Sequence, residues 1–577
     1  MKKIWSLILL LTLTYSTLFA SPVFAQFIVL SGGGGPASNH YSQYLQTKNL
    51  YEGLVFRFGQ ENVSLAFGAG NRPAENPIIA DVHKTVKETI QGVPTEYQTL
   101  IVGSIKNNQE ANHLNLENML KEQTKSSGPL FIFVSDHGMP NEKETDPKKK
   151  YSNNCIDLWS LDILKKETKS FHNRCLTRNQ LENLLNNSTS NNKIYGMSQC
   201  FSGGFHYMTV KTMSDGNVTI NPKLCGFTAT TEDLTSSGCT PYVDGPNYAG
   251  YERFFTKHLI GQDFIDQVRT TAGVAKNVRD AHQLATLDDY TADIPLSSSD
   301  FYLLEIYKSL AQYPSANFST EFDVTSIQKF ISHYSNPSAD PLRTNFLELS
   351  GHDFYQQQSA FAKKVSETIA KKFKSSNLLM FKMDFKNLAN QINKMNTEMV
   401  AIQSKLAVIT EKEQLISKTN FFPIWESMVN LKNPKLGLSD KEFELEAYIV
   451  HQFGLNATYN TIINQHIAFE FMEDAAEAQT MMNFLTKRQK VFGKYFFQSV
   501  DPNINKMAAK IAELEKVAVP LRTRYQNLQF EYQYARRILS TRQILGVLGA
   551  AVHTKSTKII KNYADLIHCE MTPLDSI

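Results

Sequence analysis

Two residues in the first half of the chain have the side chains and the neighbours that nucleophilic chemistry needs. Cys200 follows a predicted strand, Lys193–Gln199, while His137 follows the strongest predicted strand, Leu130–Val134, and precedes Gly138. A thiol with a pKa of about 8.5 is mostly protonated at neutral pH, and a nearby histidine raises its thiolate fraction and protonates a leaving group. Cys200 is therefore the predicted nucleophile, with His137 as its base.

The elements that must position this pair are the strands of one sheet. Strand-like and helix-like segments alternate over residues 26–290, which favours an α/β domain with helices on both faces of a mostly parallel sheet. Open sheets of this kind place their sites at the carboxyl ends of the strands, so the two residues are predicted to meet there. The backbone amides of Gly138 and Cys200 are the predicted oxyanion donors, a contribution of roughly 3 kcal/mol each.

Cysteines can also form structural disulfides or bind zinc, and these roles are alternatives to catalysis. The chain contains six of them: Cys155, Cys175, Cys200, Cys225, Cys239 and Cys569. In an oxidising compartment, Cys155–Cys175 and Cys225–Cys239 are the predicted local disulfides, which would leave Cys200 as a thiol. The alternative is that Cys200 pairs with Cys569. A zinc site that includes His172 is a further alternative for the first pair.

The N-terminus predicts export. Residues 1–25 have a short basic start, an apolar core and a small-residue ending, which is typical of a signal peptide cleaved after Ala25. An uncleaved anchor is the alternative. No later segment has 18 uninterrupted apolar residues, so we expect no stable membrane anchor after cleavage and a secreted or periplasmic location. The net charge of +3 gives no support for nucleic-acid binding.

The C-terminal half has a helical pattern instead. Apolar residues recur at alternating spacings of three and four over 385–409 and 504–535, which predicts two helices that pack along one apolar seam as a bundle or coiled coil. Pro520 is expected to kink or interrupt the second helix.

The segments Val134–Gly138 and Gln199–Gly203 resemble the histidine and cysteine motifs of the caspase/legumain clan of cysteine peptidases, closest to the legumain family. The resemblance covers roughly residues 26–262. It implies a caspase/legumain-like (caspase-hemoglobinase) sandwich and a Cys–His dyad that acts on a peptide or protein substrate, with no metal and no cofactor.

On this basis the chain divides into a signal peptide (1–25), a legumain-like peptidase domain (26–290), a linker (291–350) and a helical domain (351–577). The helical domain is expected to bind either its own peptidase domain, which would inhibit it, or a partner protein. Deleting the chain from about residue 350 onward would test inhibition.

The resemblance also predicts a substrate pocket that departs from the family. Asn39, Phe201 and Tyr251 match the positions of the Arg, Glu and Asp with which legumains recognise asparagine. Without those charges we expect a neutral or partly aromatic pocket and no strict requirement for Asn before the cleaved bond. Its predicted residues are Asn39, His40, Phe201, Ser202, Thr230, Ser236 and Tyr251.

Three functions are compatible with these features. The first is an exported cysteine endopeptidase. The second is a transpeptidase or transamidase of the same clan, in which an amine captures the acyl-enzyme instead of water. The third, from another class, is a secreted helical interaction protein with a degenerate peptidase domain. The presence of both dyad residues favours an enzyme.

Overall fold

A computed structural model describes most of the α/β region and four C-terminal helices. The described residues are 25–35, 39–71, 82–90, 93–101, 105–123, 128–141, 151–159, 174–238, 250–265, 274–289, 291–312, 352–373, 385–419 and 502–574. The predicted signal peptide up to residue 24, Cys239, His172 and most of the predicted linker lie outside them.

The α/β region is built on a seven-stranded sheet. Its strands are β1 (Gln26–Ser31), β2 (Val63–Phe67), β5 (Asn108–Gln109), β6 (Leu130–Val134), β10 (Lys193–Met197), β13 (Leu224–Thr228) and β14 (Leu296–Ser297). The order across the sheet is β14-β13-β10-β6-β1-β2-β5. All neighbours are parallel except β14, which runs antiparallel to β13. The predicted α/β class with a mostly parallel sheet is confirmed.

Smaller antiparallel sheets surround the central one. They comprise β3 (Val82–Ile90) with β4 (Val93–Ile101), β7 (Gly138–Met139) with β8 (Cys155–Asp157) and β9 (Cys175–Thr177), and β11 (Val210–Thr212) with β12 (Val218–Ile220).

The α-helices are α1 (Tyr41–Phe58), α2 (His113–Gln123), α3 (Arg178–Asn186), α4 (Tyr251–Ile260), α5 (Val278–Asp288), α6 (Ser298–Gln312), α7 (His352–Phe373), α8 (Phe385–Thr419), α9 (Pro502–His553) and α10 (Thr557–Glu570). At the start of α3, the Thr177 hydroxyl accepts a hydrogen bond from the Gln180 N–H, and the Gln180 side chain accepts from the Thr177 N–H. This reciprocal cap fixes where the helix begins.

The sheet is buried on both faces, which explains why β6 is apolar at every position. Phe131 and Phe133 point into a core with α1, α4 and α5, while Ile132 points into a second core with α2 and α3. Parallel strands covered by helices on both sides lose the polar alternation of half-exposed strands.

A third core joins the C-terminal helices to the α/β region. It combines Tyr302 and Ile306 of α6 with Leu548 of α9 and Tyr563 of α10. Near the chain end, the buried Glu570 carboxylate accepts hydrogen bonds from the N–H and the hydroxyl of Ser299, at 2.7 and 2.9 Å. The helices α9 and α10 therefore complete the packing of the region that precedes them.

The disulfides agree with one prediction and correct another. Cys155–Cys175 forms as expected, which excludes the zinc alternative for this pair. Cys225 bonds to Cys569 and not to Cys239. The same bond excludes the alternative that placed Cys569 on Cys200, and Cys200 belongs to neither disulfide.

The predicted apolar seam is present where α8 packs against α9. Leu388 and Met395 on α8, and Ala518 on α9, are buried while their neighbours on the opposite face are exposed. The helix α9 continues through Pro520, so the expected interruption there is wrong. Among the residues that the structure describes, no helix has both the length and the apolar character to cross a membrane.

Candidate active site

The candidate site lies where the adjacent strands β6 and β10 end. Met197 of β10 pairs with Val134 of β6 in the parallel register. Cys200 lies three residues after Met197, and His137 lies three residues after Val134. Beyond the strands the two segments touch, because a Cβ atom added to Gly138 would lie 1.8 Å from the Cys200 carbonyl oxygen. The structure thus brings the backbone beside His137 against the backbone of Cys200.

The sulfur of Cys200 contacts a backbone amide. The Ser236 N–H donates a hydrogen bond to Sγ at 3.2 Å, and Ser236 is buried. A donor at this position favours the thiolate over the thiol. Ser236, a predicted pocket residue, is therefore next to the candidate nucleophile. The direct contact through its amide is a feature that sequence reasoning missed.

Asp136 fixes the segment that carries His137. Its carboxylate accepts hydrogen bonds from the amides of Gly32, Gly33 and His137, the last two at 2.7 and 2.6 Å. Burial raises the pKa of Asp136 well above its usual range, and Asp157 adds to this, while the three N–H donors act in the opposite direction. The contacts join the loop after β1 to the loop after β6, so they hold the histidine segment in place.

His40 and Asn39 flank the histidine side of the site. The His40 ring lies nearly perpendicular to the His137 ring, with 4.7 Å between the centroids. Asn39 is fully buried, and its side chain occupies the space that a Cβ atom on Gly33 would need, at 2.5 Å. Gly33 also has a φ of 67°, a left-handed conformation that favours glycine. Of the predicted pocket residues, His40 thus lies beside the predicted base, while Asn39 lies against Gly33 of the loop after β1.

Phe201 and Ser202 follow the nucleophile in a sharp turn. Phe201 has a φ of 58°, a left-handed conformation that non-glycine residues adopt at some cost. Its N–H donates to the Leu234 carbonyl at 2.7 Å, and its ring stacks on Tyr151. The Ser202 hydroxyl accepts a hydrogen bond from the Thr230 N–H at 3.2 Å. These contacts connect the cysteine turn to the segment after β13.

The environment of Tyr251 differs from the one that a pocket residue would have. Its hydroxyl hydrogen-bonds His282 Nδ1 at 2.7 Å, and the side chain is buried in the core with Phe255. The polar groups near this position are two buried carboxyls that the sequence analysis did not single out. Glu252 accepts from Gln46 at 3.2 Å, and Asp293 accepts from the Ser237 N–H at 2.8 Å.

The pKa of the buried Asp293 carboxyl is affected by its neighbours. Burial raises the pKa of Asp293 well above its usual range, and Asp289 and Glu252 raise it further. Asp293 lies in the predicted linker and has no motif around it, so only the tertiary fold relates it to Ser237.

Three of the predicted pocket residues share an unusual property. The side-chain polar atoms of Asn39, Thr230 and Ser236 are buried, and none has a hydrogen-bond partner among the described residues. Buried polar groups are satisfied in the great majority of cases. Such groups are suited to hydrogen-bonding a polar ligand, at a cost of about 1–3 kcal/mol each if they stay unsatisfied.

No protein-family model matches the chain, and no curated protein matches it in sequence.

Replacing Gly138 by alanine tests the contact between the two segments. The new Cβ would meet the Cys200 carbonyl, a backbone atom that cannot move without shifting the nucleophile. We expect the rate of any reaction at Cys200 to fall by about 100-fold. The matched control is Gly53→Ala on α1, whose Cβ would crowd the buried Ile260 side chain and so introduces a close contact away from Cys200. Equal reactivity of the two variants would contradict the close approach.

His206, which the sequence places just after the cysteine motif, is a fully buried structural residue. It hydrogen-bonds the hydroxyls of Tyr195, Thr228 and Ser298, at 3.0, 3.1 and 3.2 Å. Burial lowers the pKa of His206 to about 3. The folded protein therefore keeps this ring neutral, whereas the unfolded chain protonates it near about pH 6.5.

This difference predicts acid sensitivity. Because the folded-state pKa is depressed, the stability from neutral His206 is complete above about pH 6.5 and is lost progressively as the pH falls toward 3. We expect wild type to lose about 2 kcal/mol more of its unfolding free energy than His206→Gln between pH 7 and pH 5. Urea unfolding at both pH values measures this, with the exposed His553→Ala as control. Parallel losses in wild type and His206→Gln would contradict it.

Proposed function

We propose that the protein is an exported cysteine endopeptidase in which Cys200 is the nucleophile and His137 the acid and base. The observation that carries the proposal is the contact of the Gly138 and Cys200 segments at the ends of two neighbouring parallel strands. This is the edge where open α/β sheets bind their ligands.

The proposed reaction follows from the two side chains. His137 accepts the thiol proton, and Sγ of Cys200 attacks the peptide carbonyl to form a carbon–sulfur bond. The tetrahedral oxyanion is stabilised by backbone amides, for which Gly138 and Cys200 are the proposed donors. His137 then protonates the leaving amine as the carbon–nitrogen bond breaks. Water, deprotonated by His137, finally hydrolyses the acyl-enzyme and restores the thiol.

The fold supports the same proposal at a coarser level. A mostly parallel sheet with helices on both faces, and a nucleophile after a central strand, is what a caspase/legumain-like sandwich requires. The two disulfides support a protein that matures in an oxidising compartment, in keeping with the proposed signal peptide.

We propose that the surface that binds the substrate side chain is polar but uncharged. Asn39, Thr230 and Ser236 offer buried hydrogen-bonding groups, whereas Tyr251 is bonded to His282. The legumain charges are absent at positions 39, 201 and 251. Cleavage is therefore not restricted to asparagine, and strict cleavage after Asn in a peptide library would show this part to be wrong.

The experiment that tests the function uses a peptide with a thiol-reactive group at its carbonyl end. Wild type is expected to be labelled at Cys200, as found by mass spectrometry, and to cleave the matching peptide. His137→Ala is expected to abolish both, while the control His553→Ala retains both. Labelling with transfer of the acyl group to an added amine, and no hydrolysis, would instead indicate the transpeptidase alternative. Absence of labelling would favour the interaction protein.

A further inference from the structure

The segment Thr231–Ser236, which we call the site loop, forms one wall of the candidate site. Its Ser236 amide donates to the Cys200 sulfur at 3.2 Å. Its Leu234 carbonyl accepts from the Phe201 N–H at 2.7 Å. The loop therefore contacts both the candidate nucleophile and the residue that follows it.

The site loop is held by a side chain from the far end of the sequence. Arg536 on α9 donates two hydrogen bonds to the Asp233 carboxylate, at 2.9 and 3.1 Å. Two parallel bonds between a guanidinium and a carboxylate fix orientation as well as distance. The Thr231 hydroxyl also donates to Asp233, at 2.7 Å. Although burial opposes ionisation, the bond and charge of Arg536 lower the pKa of Asp233.

The part of α9 around Arg536 is itself firmly attached. Arg537, the next residue, is buried and pairs with Asp289 at 3.3 Å. The residue after Arg537, Ile538, packs with Val365 and Ile369 of α7. Lys308 of α6 adds a separate contact to the site loop through Glu232, at 3.0 Å. Arg536 thus connects the loop to a well-packed part of α9.

We propose that Arg536 is a positioning residue, which acts through Asp233 to hold the Ser236 amide against the sulfur of Cys200. This inference rests on the proposed function of Cys200 as a nucleophile. It gives the C-terminal helical region a direct part in the activity, because one of its side chains completes the site.

The experiment compares Arg536→Ala, Asp233→Ala and the double variant with the control Arg522→Ala. Arg522 lies on the same helix and pairs with the exposed Glu515, away from the site loop. We expect kcat/KM for peptide cleavage to fall by about 10- to 30-fold in each single variant. The double variant is expected to fall no further, because the two residues act through one contact. Arg522→Ala is expected to stay within about 2-fold of wild type.

Two further readouts separate positioning from a general loss of structure. Arg536→Lys keeps the charge but loses the paired geometry, so it is expected to recover part of the activity. The pH dependence of Cys200 alkylation by iodoacetamide should shift upward in Arg536→Ala, because the Ser236 amide no longer favours the thiolate. The recovery of activity in Arg536→Lys keeps the proposal testable even if the alanine variant does not fold.

Either of two results would overturn the proposal. One is an Arg536→Ala variant with the activity and alkylation profile of Arg522→Ala. The other is a double variant whose loss is the product of the single losses. If the wild type cleaves no peptide, the proposed function fails, but the alkylation profile still tests whether Arg536 positions the loop.

Discussion

Replacing Cys200 by alanine is expected to lower kcat/KM for peptide cleavage by about 10⁴-fold or more. In the proposed mechanism the thiolate forms the bond to the substrate carbonyl. No other described cysteine can substitute, since the remaining four lie in disulfides. Cleavage is measured with the peptide that gives the highest rate in the library. Activity within about 10-fold of wild type would show that the sulfur does not take part.

His137→Ala is expected to cause a loss of similar size, and the double variant with Cys200→Ala is expected to lose little more. A nucleophile and its base act as a unit, so their effects do not multiply. The exposed His553→Ala serves as the control for loss of a histidine. A loss in His137→Ala of less than about 10-fold would exclude it as the base.

Deleting residues 502–577 is the second change with a large expected effect, and we expect it to prevent stable folding. The deletion removes Leu548 and Tyr563 from a core that they share with α6, together with Cys569 and Glu570. Each large buried side chain contributes about 1.5–3 kcal/mol, while the net stability of a domain is only about 5–15 kcal/mol. Circular dichroism and limited proteolysis of the truncated protein measure the outcome.

The matched control keeps the helices and removes only the covalent link. The full-length Cys225→Ser/Cys569→Ser variant is expected to fold with a loss of about 5 kcal/mol, because a long loop is no longer closed. A folded truncated protein would contradict a shared core. If it were also more active than the full-length chain, the helices would be inhibitory, which is one of the two roles expected of the helical domain.

The sequence predicted those parts of the fold that depend on local patterns. The strand Leu130–Val134 has the bounds expected from its apolar run. The cap at Thr177 likewise follows a local signal, a threonine with a glutamine three residues later. In these segments the residues that decide the structure are within a few positions of one another.

Predictions failed where the structure depends on residues that are far apart in the sequence. Cys225 bonds to a cysteine 344 residues away, which spacing cannot predict. The predicted pocket role of Tyr251 came from the resemblance, and that prediction took no account of His282, which hydrogen-bonds the Tyr251 hydroxyl in the core. The helix α9 continues through Pro520, where packing against α8 supports the helix despite the missing N–H.

The candidate site shows the same division. His137 and Cys200 were singled out from their own neighbours, and the register of β6 and β10 explains why the segments that carry them lie side by side. The amide of Ser236, the carboxyl of Asp293 and the Arg536–Asp233 pair had no local signal, because each depends on how separate elements pack. Sequence patterns thus singled out the two candidate reacting residues but not the residues that contact their segments.

The measurement that tests the central claim most directly is the rate of Cys200 alkylation by iodoacetamide as a function of pH, in wild type and in His137→Ala. If the imidazole of His137 and the amide of Ser236 favour the thiolate, the wild-type rate rises with an apparent pKa below about 8.5. Removal of the imidazole should then move that pKa upward. Identical profiles with a midpoint near about 8.5 in both proteins would contradict a Cys200–His137 pair.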